Sequence, residues 1–195
     1  MTRDTADLIP TRRLSAGEFE ELAALGMLNA DGTAAAIAGA PHRTDATVRQ
    51  PIEKRAMHAS GVLNEAYDYA TPASFTRGIR FDIGDKTMLM ISGTASVDEA
   101  GLSRHLGDFR AQLWRTYRNI TNLLAGEGAN WHDIVRTTCY LRDIERDYRD
   151  FNEVRTQFFQ WLQLNPLPAS TAIQARICRE DLLVEIEAIA VIPRA

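Results

Sequence analysis

The chain has 195 residues, 45% of them hydrophobic and 25% charged, which suits one ordinary domain plus an appended segment. A formal net charge of −4 gives no electrostatic case for nucleic acid. No apolar run reaches the ~20 residues of a membrane span, and Met1-Thr2-Arg3-Asp4-Thr5-Ala6-Asp7 lacks the apolar stretch of a signal peptide, so a cytoplasmic protein is expected.

Residues 1–70 read as an N-terminal extension, rich in Ala, Gly, Thr and Arg. One helix is signalled there, by a capping box at Ser15 and Glu18, a staple of Leu14 on Phe19, and a short stripe of Phe19, Leu22 and Leu25. Asn29-Ala30-Asp31-Gly32 reads as a turn, and Thr33 to Pro51 as loop.

Residues 71–195 are well patterned. Arg77 to Ile83 and Thr87 to Ile91 predict a hairpin turning at Gly84-Asp85. Phe109, Leu113, Tyr117, Ile120 and Leu124 recur at helical spacing, ending near Gly126 or Gly128. Asp133 to Leu141 predicts a third strand. Tyr148, Phe151, Val154, Phe158 and Leu162 stripe a second helix, stopped by Pro166 and Pro168. Ser170 to Cys178 and Leu182 to Ile192 are the last two expected strands. The order β-β-α-β-α-β-β makes an α+β domain, one mixed sheet with two helices on one face.

The final strand carries the most informative pattern. Val184, Ile186, Ala188 and Ala190 form an apolar face, while Glu185 and Glu187 point the other way, roughly 6–7 Å apart. Acids on an otherwise buryable strand need a polar partner or a chemical role. Their face must be covered by something other than the helices, and a second copy of the chain is the natural candidate.

Cys139 and Cys178 fall in predicted strands without C-x-x-C spacing, so reduced thiols are expected. His42, His58, His105 and His132 are scattered, so no metal or other cofactor is expected. Trp114, Trp131 and Trp161 read as packing anchors.

Several motifs in this order resemble the Rid (YjgF, L-PSP) family. They are Ile91-Ser92-Gly93-Thr94-Ala95, the helix end from Asn119-Ile120 to Gly126, Asp133 to Thr138, Leu141-Arg142-Asp143-Ile144, Phe151-Asn152 through Phe158-Phe159, Pro168-Ala169, and Val184 to Val191. The resemblance covers residues 71–195. It implies a chorismate-mutase-like fold, a homotrimer with active sites between subunits, and hydrolysis of small imines or enamines derived from amino acids. It also implies that Glu185 activates water and that Ser92, Gly93 and Asn152 line the pocket. Phe75 would cover a small, carboxylate-bearing substrate at the position where the deaminases usually have tyrosine.

The chain departs from the deaminase pattern where an arginine would grip the substrate carboxylate: that place is Ser170, and Ala172 replaces a cysteine. Arg176, which shares strand parity with Ser170 and Gln174, and Arg77 are the candidate substitutes. The run Ala175 to Glu187 also resembles the chorismatase signature, in which Cys178 would touch the substrate and a lyase would release pyruvate from an enol ether. A non-catalytic ligand-binding trimer is the remaining alternative.

Overall fold

The sheet is assembled around one tight turn. The computed structural model describes residues 52–59 and 61–194, and there Lys54–Ala56 forms a short edge strand, β1, paired antiparallel with β2 (Gly78–Ile83). Gly84 follows with φ +60°, a conformation open to glycine at little cost, and reverses the chain into β3 (Lys86–Ala95) with Ile83 opposite Lys86. The sheet thus begins upstream of residue 71, the boundary expected from sequence, and Met57, Leu63 and Ala66 join its core. The expected helix around Ser15 and Glu18 and the turn at Asn29 to Gly32 lie outside the described residues.

Two helices follow the expected stripes. α1 (Phe109–Gly126) starts at Asp108, whose carboxylate accepts from the Ala111 N–H at 3.0 Å. α2 (Ile144–Trp161) starts at Asp143, which accepts from Arg146 N–H at 3.0 Å, and each such cap contributes about 1 kcal/mol. Between them runs β4 (Ile134–Leu141), and after α2 come β5 (Ala169–Gln174) and β6 (Val184–Pro193). The strand order is β1-β2-β3-β6-β4-β5, with β4 and β5 parallel across the α2 crossover and the other pairs antiparallel.

Because β6 inserts between β3 and β4, both its edges are hydrogen-bonded and its position is fixed from two sides. Val184, Ile186, Ala188 and Ala190 are buried toward the helices, as the alternation predicts. α1 packs on β3 and β6, and α2 packs on α1 and β4. Tyr117 stacks on Phe158 at 4.6 Å and Trp131 meets Phe158 edge-on at 5.0 Å, which locks the two helices over the sheet. The buried Trp131 satisfies its indole N–H on Thr121 Oγ1 at 2.8 Å.

Two sequence expectations need correction. Trp131 is a packing anchor, but Trp161 is 77% exposed at the end of α2, and Trp114 is partly exposed. Strand β5 stops at Gln174 instead of running to Cys178, because its partner β4 ends at Leu141 and no backbone remains to pair with. Cys139 is buried in β4, whereas Cys178 sits exposed in the loop between β5 and β6. Among the described residues, no helix is long and apolar enough to cross a membrane, and no group of three or more His, Cys, Asp or Glu is placed to hold a metal.

Candidate active site

An irregularity in β3 creates room for the Glu185 side chain. The pairing runs regularly to Ile91 opposite Ala188, then resumes with Thr94 opposite Ile186, so β3 carries one extra residue at Ser92-Gly93. Ser92 is held there by its N–H on Arg77 O at 3.1 Å and by its hydroxyl, which donates to Thr76 O at 2.8 Å. Glycine at 93 lets the carboxylate rest on its α-carbon: a Cβ at that position would lie 2.0 Å from Glu185 Oε1. Asn119, fully buried in α1, pins the end of β3 by donating to Ala95 O and Val97 O, each at 3.0 Å.

The opposite wall is a loop that folds by being stapled. Arg142 donates from Nε to Leu182 O at 2.6 Å and from Nη2 to Ile177 O at 3.1 Å. Gln112, buried in α1, donates to Asp181 O and accepts from Leu183 N–H, both at 2.8 Å. These contacts deliver Cys178, Arg179 and Leu182 to the rim of a cavity of about 440 Å³, whose other walls include Phe75, Arg77 and Glu185.

Burial and, after it, the neighbouring Glu187 raise the Glu185 carboxyl above the ordinary carboxylate range. Arg77 is 5% exposed and rigidly held: its Nε donates to Asn64 O at 3.0 Å, its Nη2 bonds the Tyr69 hydroxyl, and the guanidinium lies 5.0 Å from the Tyr69 ring and 5.4 Å from the Phe75 ring. Arg77 and Glu185 both line this cavity, so it holds a cation and an acid together.

The expected site residues therefore divide. Phe75, Arg77, Ser92, Gly93, Cys178 and Glu185 line one cavity. Asn152 and Ser170 lie elsewhere in the chain, grouped around Arg155. Gln174 is occupied structurally, its Oε1 accepting from the Ile144 N–H at 3.0 Å at the start of α2. Arg176 lies outside the cavity, solvent-exposed and 3.9 Å from Glu180, because the strand parity that would aim it inward ends with β5.

Sequence reasoning missed Tyr69, Arg179 and Arg155. Nothing in the local pattern marks Tyr69. Arg155 stands one helical turn beyond Asn152, and that spacing was a usable signal.

Comparison with known proteins places this geometry in context. The family model described as Endoribonuclease L-PSP matches residues 67–192. A RutC family protein of Pyrococcus abyssi is 31% identical over 102 residues, 52% of this chain and 76% of the relative. The mouse 2-iminobutanoate/2-iminopropanoate deaminase is 31% identical over 107 residues, 55% of this chain and 75% of the relative. The crystal structure of E. coli TdcF with bound serine superposes with a TM-score of 0.54 at 25% identity, covering 69% of this chain and 98% of that one.

Proposed function

The chain belongs to the L-PSP family, also called the Rid or YjgF family, and from that premise we propose that it hydrolyses a small imine or enamine carrying a carboxylate, with Glu185 as the proton carrier. The observation that carries this reading is a desolvated carboxylate seated against Gly93 at the wall of a cavity that Arg77 makes cationic on another side. Its mouse relative is named for the deamination of 2-iminobutanoate and 2-iminopropanoate.

The chemistry asks little of the protein. Glu185 takes a proton from water as the oxygen adds to the imine carbon, then returns a proton to the nitrogen. The carbinolamine collapses to a ketone, and ammonia leaves. A raised pKa suits both halves of this exchange, since the ideal proton carrier titrates near the working pH. Phe75 and Leu182 supply apolar walls that limit bulk water. The site is completed by a second copy of the chain in a homotrimer, and partly exposed Met90 on the same sheet face as Glu187 gives that copy an apolar landing.

The test is to generate 2-iminopropanoate and 2-iminobutanoate in solution and follow ammonia and keto-acid release. Wild-type protein accelerates hydrolysis, and Glu185→Gln lowers the rate by about 10²–10⁴-fold. A wild-type rate no faster than the uncatalysed reaction defeats the reading. Pyruvate release from chorismate in that case points to the lyase alternative, and ligand binding without turnover to the non-catalytic trimer.

A further inference from the structure

Away from the Glu185 pocket, α2 and the strand at the sheet edge enclose a second cavity of about 560 Å³, lined by Arg155, Phe159, Leu164, Leu167, Pro168 and Ser170. Among the described residues, its one ionic group is Arg155. The guanidinium lies 4.6 Å over the ring of Phe151, donates from Nη2 to Asn152 Oδ1, and reaches Ser170 Oγ from Nη1 at 3.3 Å. All of these partners are neutral. The acids nearby on α2 are turned to other arginines: Asp150 and Glu153 each bind Arg110 at 3.0 Å, and Asp147 binds Arg146 at 2.6 Å. Among the described residues, no carboxylate forms an ion pair with Arg155.

Ser170 adds a second donor. Its oxygen already accepts from Thr137 Oγ1 at 3.0 Å as well as from Arg155. A hydroxyl lining the cavity can also donate to a ligand oxygen. A guanidinium also carries more N–H donors than the two used here. A cation with no carboxylate partner among the described residues, oriented by an amide and an aromatic ring and flanked by a hydroxyl, is a receptor for a small planar anion.

We propose that Arg155 and Ser170 form the carboxylate-binding site of this chain, taking the carboxylate of a small 2-imino or 2-keto acid. This rests on the proposed function and deepens it: the cation absent from the strand at Ser170 arrives from the helix beside it. Arg176 has no part in it.

The experiment titrates 2-oxobutanoate into the full-length protein and reads binding by calorimetry or NMR. Wild type binds saturably, Arg155→Gln weakens binding about tenfold, Arg155→Lys and Ser170→Ala weaken it severalfold, and Arg176→Gln matches wild type. Circular dichroism checks that each variant is folded. Wild-type affinity in Arg155→Gln overturns the proposal, as does the absence of saturable binding by wild type. If Arg155→Gln does not fold, unchanged affinity in both Arg155→Lys and Ser170→Ala overturns it instead. Binding that depends on Arg155 without any imine turnover leaves this site standing and defeats the deaminase reading. Imine turnover with KM unchanged in Arg155→Gln does the reverse.

Discussion

The Glu185 pocket and the β5 edge are two regions of one sheet that hold opposite charges under opposite conditions. Glu185 sits on the central strand, hemmed in by a bulge and a stapled loop, and its burial favours the protonated form. Arg155 stands at the margin, partly exposed, with neutral hydrogen-bond partners and an open cavity before it. A proton carrier gains from confinement, because desolvation brings its pKa toward the working pH. An anion receptor gains from access, because it must keep its charge and give up only water. The fold separates these demands by placing one group mid-sheet and the other at an edge. Among the described residues the two groups line different cavities.

The sharpest break in this comparison comes from Gly93→Ala. The added methyl would fall 2.0 Å from Glu185 Oε1, and the flexible carboxylate must leave its seat. Turnover drops by about 10²-fold through mispositioning, while melting stays close to wild type because the three nearest atoms all belong to that flexible side chain. Normal kcat in this variant would detach Glu185's position from catalysis.

Mixing tests whether the two regions belong to one site. Glu185→Gln, nearly inactive, and Arg155→Gln, slowed about tenfold when substrate is below KM, are unfolded together and refolded. If each site takes its acid from one copy and its cation from another, about a quarter of the wild-type rate returns. No recovery beyond the sum of the two variants defeats a site shared between copies.

The smallest effect is thermodynamic and concerns Glu185 alone. Its folded pKa is raised by burial first and by Glu187 second, so the native state holds its proton where the unfolded chain has released it. Stability from this group is therefore present below the ordinary carboxylate range and is lost as pH rises through the folded value. Glu185→Gln, an isostere without the charge, raises the melting temperature at pH 7 by a few degrees, and the gain disappears toward pH 4. A variant less stable than wild type at pH 7 would mean that the carboxylate is better satisfied than its burial indicates.

The strand and helix order was written in local pattern: period-two alternation in Val184 to Ala190, helical stripes at Phe109 to Leu124 and Tyr148 to Leu162, and a glycine turn at Gly84. Glu185 could be singled out for the same reason, since an acid on an apolar strand is a local contradiction. What only the tertiary structure decided were contacts made across long separations. The bulge that seats Glu185 on Gly93 depends on pairing β3 with a strand about ninety residues later. The end of β5 depends on where β4 stops, which is why Arg176 leaves the cleft and Cys178 leaves the sheet. Arg155 meets Ser170 because a helix and a strand converge at an edge. Alternation and spacing report which way a side chain faces on its own element, and they carry no information about what that face will meet.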